Sequence, residues 1–124
     1  MTNVVTISRA LADETRWRIV RLAMDDALCV CELADILGMP QSSASSHVQI
    51  IRRAGLLEEE TCGKWTYFRI ARPWLPLLRK LAMTCDDASF FPDDAVKAAR
   101  RLAERENSCC RGPRKLTTRR KVTP

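Results

Sequence analysis

Apolar residues recur every three to four positions through most of this sequence, which predicts a mainly helical protein. The predicted helices are residues 4–11, a second that begins after Asp13, 31–37, 41–54, 74–83 and a last one that begins at Pro92. Asp13 is a typical capping residue, and Gly38 with Pro40 ends the third helix. Val96, Ala99 and Ala103 are predicted to form the apolar stripe of the last helix.

The pattern changes to strand-like alternation between residues 56 and 70. Residues 58–61 and 65–70 predict two strands, and Cys62-Gly63 predicts the tight turn between them. The predicted fold class is therefore mainly α with a small β-hairpin, in the order α-α-α-α-β-β-α-α.

A three-residue turn at residues 38–40 joins the third and fourth helices, a spacing typical of a helix-turn-helix, and the hairpin follows as a wing would. The second helix of such a motif places its N-terminal residues at base edges in the major groove. Here that stretch is QSSASSHVQ, which is small, polar and free of acidic residues. The predicted DNA-binding residues are Gln41, Ser42, Ser43, Ser46 and His47, with Arg52, Arg53 and Lys64 for the phosphates. Local helix capping by the serines and packing of His47 at the helix edge are the alternative interpretations.

The net charge of +6 comes from the C-terminal end, because residues 111–124 hold six basic and no acidic side chains. We therefore expect one domain over residues 1–108 and a basic, disordered tail over 109–124 that could add salt-sensitive attraction to phosphates. The start has no secretory pattern, and no apolar run approaches the roughly 18 residues of a membrane span. The expected location is cytoplasmic, with no membrane partner.

Six cysteines in that compartment indicate metal or redox chemistry rather than a disulfide framework. Cys29 and Cys31 lie two positions apart in the stretch ALCVCELA, and Cys109 and Cys110 are adjacent. Thiolates hold soft, thiophilic ions, so both pairs are candidate metal ligands. The alternative for the first pair is packing, since free cysteine is among the most buried residue types.

Other kinds of site are poorly represented. His47 is the only histidine, which excludes a zinc site built on several imidazoles. The sequence has no Cys-x5-Arg loop, no Cys-x-x-Cys pair and no glycine-rich phosphate loop, so we do not expect an enzyme. Cys85, at the end of a predicted helix, is expected to be a buried small residue.

The stretches ALADETRWRIVRLA, LCVCELADILGMPQSSASSHVQIIRRAGLL and GKWTYFRI resemble the ArsR/SmtB family of small bacterial metal-responsive repressors, and within it the arsenic-responsive branch. The resemblance implies a homodimeric winged helix-turn-helix repressor that binds near-palindromic double-stranded operator DNA when empty and releases it on binding an inducer. Helices within residues 1–12 and 92–107 would form the dimer interface. The family's DNA-reading positions fall on Gln41, Ser42, Ser43, Ser45, Ser46 and His47.

Cys29 and Cys31 resemble the Cys-x-Cys box of the arsenite- and antimonite-responsive branch, and also of the cadmium/lead one. The implied inducer is trivalent arsenite or antimonite, with no required cofactor, although another thiophilic ion, a cadmium/lead response or a thiol-redox response remain alternatives. Ala34 stands where that branch often has a third cysteine, so Cys109 or Cys110 would complete the site or form a separate one. Residues two apart on a helix point about 200° apart, so we expect the helix start to unwind when both sulfurs bind one ion.

Overall fold

The computed structural model of the chain describes residues 2–85, 91–108 and 110–120. The helices are α1 (Val4–Leu11), α2 (Glu14–Asp25), α3 (Val30–Leu37), α4 (Gln41–Arg53), α5 (Leu75–Cys85) and α6 (Asp93–Ala103), with 3-10 turns at Arg72–Trp74 and Arg105–Asn107. The strands are β1 (Leu28–Cys29), β2 (Leu57–Cys62) and β3 (Trp65–Ile70). This order confirms the predicted winged helix class and adds one short strand, β1, before α3.

The helix ends follow the predicted capping residues closely. Asp13 caps the start of α2, because its carboxylate accepts a hydrogen bond of 3.0 Å from the backbone N–H of Arg16. Gly38 ends α3 with a left-handed φ of 66°, a conformation that glycine adopts without steric cost. Pro92 caps α6 from outside instead of occupying its first turn, which begins with Asp93.

The three strands form one antiparallel sheet in the order β1-β3-β2. β1 adds to the predicted hairpin by pairing Cys29 with Tyr67 on β3. Cys62 also pairs with Trp65, so the turn consists of Gly63 and Lys64, one residue later than predicted. The tip of the wing therefore carries Lys64 itself.

The core lies between α2, α3, α4 and the inner face of the sheet. The α4 residues predicted to face inward, Ala44, Val48 and Ile51, are fully buried. This leaves the polar face of α4 directed away from the body. Within the described residues, no helix is long and apolar enough to cross a membrane.

Within the single chain, α6 does not bury the face that carries its predicted apolar stripe. The predicted stripe, Val96, Ala99 and Ala103, is exposed. Asp94 and Ala98 are buried instead, and Leu102 packs at the edge of the core. The cause is an ion pair in which Arg18 on α2 donates two hydrogen bonds of 2.9 and 2.8 Å to the Asp94 carboxylate, which orients this face of α6 toward the body.

The basic C-terminal segment differs from the expected disordered arm over residues 110–120, which lie against the sheet and α2. Arg119 donates a 2.8 Å hydrogen bond to the carbonyl of Ile70 at the end of β3. Arg120 forms a 2.9 Å ion pair with Asp26, which follows α2. Carboxylates and backbone carbonyls at the ends of β3 and α2 accept these bonds, so a basic segment can be held in place although it lacks apolar periodicity. Residues 121–124 lie outside the described residues.

Candidate functional site

The N-terminal half of α4 exposes the side chains predicted to read DNA. Gln41, Ser42, Ser43 and Ser46 are exposed, and Ser45 and His47 are partly exposed. Arg53 and Lys64 are exposed at the end of α4 and at the wing tip. The arrangement is a polar helix face beside a basic hairpin turn, which fits a DNA groove and its phosphates.

Three of the predicted DNA contacts have partners within the chain. The Ser46 hydroxyl donates a 3.0 Å hydrogen bond to the Ser42 carbonyl, one turn earlier on α4. His47 Nδ1 lies 3.4 Å from the Arg16 guanidinium and 3.8 Å from the Asp13 carboxylate, so it connects α4 to the start of α2. Arg52 pairs with Glu59 on β2 at 3.2 Å, and both side chains are about half exposed. An exposed pair of this kind contributes at most about 1 kcal/mol, so the Arg52 guanidinium can exchange Glu59 for a phosphate.

The structure brings three of the predicted thiol ligands together. The sulfur atoms of Cys29, Cys31 and Cys110 all lie within 4.8 Å of one another. In a zinc thiolate site, sulfurs bonded at 2.3 Å are about 3.8 Å apart, so the three sulfurs must approach one another by at most about 1 Å to share one ion. Cys109, the fourth predicted ligand, lies outside the described residues.

Cys29 and Cys31 converge because Cys29 is not helical. It ends β1 and is the N-cap of α3, with extended φ and ψ of −89° and 166°, while Cys31 lies in the first turn. The separation of about 200° applies only to two helical residues, so the prediction that the helix start must unwind is wrong. The junction of β1 and α3 already directs both sulfurs to one side.

Cys110 reaches the pair from the far end of the chain. It is fully buried, and its backbone N–H donates a 3.0 Å hydrogen bond to the Ser108 hydroxyl. The Ser108 hydroxyl also donates a 3.1 Å bond to the Cys110 carbonyl. Ser108 therefore fixes the backbone of the third cysteine.

A buried ion pair lies beside the thiols and was missed by sequence reasoning. Glu32 is 0% exposed, and its carboxylate accepts hydrogen bonds of 2.7 and 2.9 Å from Arg105. Glu32 also accepts a 3.1 Å bond from the backbone N–H of Cys29, and Arg105 donates a 2.6 Å bond to the Ala27 carbonyl. An acid three residues after an N-cap is a capping signal, so Glu32 could have been found. Arg105 could not, because 73 residues separate it from Glu32.

Burial governs the state of the Cys29 thiol. Desolvation raises its pKa to about 11 and outweighs a hydrogen bond from the backbone N–H of Glu32, which lowers the pKa, while the negative charge of the Glu32 carboxylate raises it. Cys29 is therefore a neutral thiol at neutral pH. Three soft sulfur donors in a largely apolar setting favour thiophilic species over ions that prefer oxygen ligands.

The two remaining described cysteines lie outside this group. Cys62 packs against the apolar cluster formed by Ala27, Cys29, Tyr67 and Cys110. Its sulfur donates a 3.0 Å hydrogen bond to Glu60. Cys85 is exposed, so the prediction that it is buried is wrong. It is the last residue of α5, beyond Leu75 and Leu78, the buried residues of that helix.

Comparison with known proteins identifies the family of the chain. Residues 13–59 match the family described as bacterial regulatory protein, arsR family. The arsenical resistance operon repressor of Escherichia coli is 35% identical over 112 residues, which are 90% of this chain and 92% of that protein. The arsenic resistance transcriptional regulator ArsR1 of Pseudomonas putida is 34% identical over 79% of this chain and 76% of that protein.

Solved structures show the same fold. The homodimeric winged helix-turn-helix DNA-binding domain of a possible ArsR-family regulator from Mycobacterium bovis superposes with a TM-score of 0.63 and 28% identity, over 68% of this chain and 79% of that one. The AntR antimony-specific transcriptional repressor superposes with a TM-score of 0.57 and 30% identity, over 69% and 79%. The relatives are regulators and not enzymes, and the chain belongs to the ArsR family of winged helix transcriptional repressors.

Proposed function

We propose that this protein is a dimeric repressor that binds operator DNA and releases it when trivalent arsenite or antimonite binds Cys29, Cys31 and Cys110. The observation that carries the proposal is the cluster of three sulfurs within 4.8 Å. The names of the Escherichia coli and Pseudomonas putida relatives support an arsenical, and the AntR neighbour supports antimony.

The chemistry of arsenite suits neutral thiols. In As(OH)3 three As–O bonds break and three As–S bonds form, each thiol proton leaves with a hydroxide as water, and arsenic stays trivalent. The reaction therefore needs no oxidant and releases no net proton. A Cys29 thiol that remains protonated at neutral pH is a competent partner for it.

The position of the site explains how a ligand could weaken DNA binding. Cys29 is the N-cap of α3, and α3 packs against α4, the helix that exposes the DNA-reading residues. A ligand that draws three sulfurs from up to 4.8 Å into one coordination sphere would move the start of α3. Release follows if the shifted α3 holds α4 in an arrangement that binds DNA less well, since a ligand changes affinity only by favouring one of two states.

A dimer would account for the apolar residues that the single chain exposes. Val96 on α6 is 57% exposed, and Val4 and Val5 on α1 are 78% and 58% exposed. The Mycobacterium bovis neighbour is described as homodimeric. A dimer would present two α4 helices, as an operator with two half-sites about 34 Å apart requires.

The test is a titration of labelled operator DNA bound to the wild-type protein, followed by fluorescence anisotropy. We expect arsenite and antimonite to release the DNA at concentrations near that of the protein, and cadmium to act less strongly. Failure of both metalloids to release the DNA would overturn the proposed inducer, while DNA binding would remain.

A redox response is the second candidate, favoured by the proximity of the Cys29 and Cys110 sulfurs. Two thiols and one hydrogen peroxide would give one disulfide and two waters. The raised pKa of Cys29 argues against it, because the thiolate is the attacking species. Release by peroxide but not by arsenite would favour this alternative.

The pH dependence of binding should separate arsenite from cadmium. Arsenite affinity is expected to change less than about twofold between pH 6 and 8, because thiol protons leave as water. Cadmium displaces the Cys29 proton, so its affinity should rise about tenfold per pH unit for that thiol, up to a pH near 11. Competition titrations with the free protein measure both, and Cys29→Ser should remove that part of the cadmium slope. A flat cadmium profile would contradict the protonated state of Cys29.

Lys64 at the wing tip should contact a phosphate. We expect Lys64→Ala to lower operator affinity about three- to tenfold at low salt and to reduce the salt slope by about 1. The matched control is Lys80→Ala, which removes the same charge from an exposed position on α5. Equal effects of the two substitutions would show that only net charge matters.

A further inference from the structure

Residues 110–120, termed the C-terminal strap, run along the sheet and begin with the third thiol, that of Cys110. The Glu60 carboxylate on β2 accepts hydrogen bonds from three successive backbone N–H groups of the strap, those of Arg114 (2.8 Å), Lys115 (2.8 Å) and Leu116 (2.9 Å). Three backbone hydrogen bonds to one carboxylate fix the path of the strap, which an attraction between opposite charges alone would not do.

Contacts on both sides of Glu60 extend this docking. Toward Cys110, the Gly112 N–H donates a 2.8 Å bond to the Tyr67 hydroxyl. Toward the C-terminus, Arg119 donates a 3.1 Å bond to Glu58. Leu116 also packs against the apolar cluster that contains Cys29 and Cys110. The strap therefore has one edge on the wing strands and another beside the thiols.

The position of Cys110 is determined from both sides along the chain. Five residues before it, Arg105 is held by the buried Glu32. Four residues after it, the strap is held by Glu60. Cys29 and Cys31 belong to β1 and α3, which lie outside the strap. Release of the Glu60 contacts would therefore loosen the third thiol from its C-terminal side and leave the backbone of the other two in place.

We infer that Glu60 is a positioning residue for the thiol site, which it serves by docking the strap and so presenting Cys110 to Cys29 and Cys31. The inference rests on the proposed function, because it assumes that the three thiols share one ligand. Docking and ligand binding are then coupled in both directions: a docked strap strengthens ligand binding, and a bound ligand holds the strap on the sheet.

The first experiment measures the affinity of the free, full-length protein for sodium arsenite by calorimetry. A docked third thiol acts at high effective concentration, so Glu60→Ala should weaken arsenite binding at least about tenfold. Glu60→Gln, which keeps one acceptor oxygen, should fall between it and wild type. The matched control is Glu59→Ala, since Glu59 is exposed and pairs with Arg52 instead of the strap; it should change affinity less than about twofold.

A double-mutant cycle with Cys110→Ser tests whether Glu60 acts through that thiol. In the Cys110→Ser background, Glu60→Ala should cause no further loss of arsenite affinity. A general structural effect of Glu60 would instead weaken binding equally in both backgrounds, and that result would overturn the inference.

The rate of limited trypsin digestion reports whether the strap is docked, because Arg111, Arg114 and Lys115 are exposed cleavage sites on it. Arsenite should slow cleavage at these residues in wild type but not in Cys110→Ser, and Glu60→Ala should be cleaved faster without arsenite. If wild type binds arsenite and Glu60→Ala binds it equally well, the inference fails while the proposed function stands. If wild type binds no arsenite, the proposed function fails and the inference with it.

Discussion

Replacing Cys29 and Cys31 together with serine is expected to abolish arsenite-dependent release of operator DNA and to leave DNA affinity within about threefold of wild type. The substitution removes two of the three clustered sulfurs, and serine oxygens are poor ligands for a thiophilic ion. A single remaining thiol also loses the gain from multidentate binding, so arsenite affinity should fall at least about a thousandfold. The face of α4 that is proposed to read DNA contains neither residue.

Fluorescence anisotropy of labelled operator DNA measures this effect as release of the DNA by arsenite. The matched control is Cys85→Ser, because Cys85 is exposed and lies outside the cluster. Serine at the buried position 29 can lower stability by about 1–3 kcal/mol, so thermal unfolding is measured in parallel. Cys31→Ser alone, at a partly exposed position, gives a second variant with less effect on folding. Undiminished arsenite release by the double variant would move the site to the Cys109–Cys110 pair.

The helix-turn-helix part of the structure could be predicted because its determinants are local. The Gly38 turn, the polar start of α4 and the apolar positions Ala44, Val48 and Ile51 lie within one short segment. Periodicity and turn chemistry act over such distances, so sequence reasoning finds them. The same reasoning missed β1, because two residues are too few to show alternation.

The completion of the thiol site depends on long-range packing that no local pattern contains. Cys110 meets Cys29 only because the chain returns along the sheet after α6. The strap was expected to be disordered because its sequence is basic and lacks apolar periodicity. The acceptor that holds it, Glu60, lies more than 50 residues earlier and faces the strap because of the register of β2 with β3.

The face that α6 buries depends on a long-range contact in the same way. Val96, Ala99 and Ala103 form an apolar stripe in the sequence, but the stripe alone does not show whether it packs on the body or on a second chain. The Arg18–Asp94 pair orients the helix so that Asp94 and Ala98 face the body. The stripe stays exposed on one chain, as the dimer interface expected over residues 92–107 requires.

The Glu32–Arg105 pair should dominate the stability of the region around the thiols. Arg105→Met is expected to lower the free energy of unfolding by about 3–5 kcal/mol, because it leaves the fully buried Glu32 carboxylate without its charged partner. The matched control is Arg101→Met, one turn earlier, whose partner Asp35 is 62% exposed. That loss should be under about 1 kcal/mol, since water can replace the lost partner.

Urea unfolding at one fixed protein concentration measures both variants, because a dimer's stability depends on concentration. The double variant Glu32→Met/Arg105→Met should recover most of the loss, as replacing both members of a buried pair by apolar side chains removes the unpaired charge. It should still lose about 1 kcal/mol for the hydrogen bond from the Cys29 N–H to Glu32. Equal stability of Arg105→Met and Arg101→Met would contradict the account, because it would mean that Glu32 gains no more from its partner than an exposed carboxylate does.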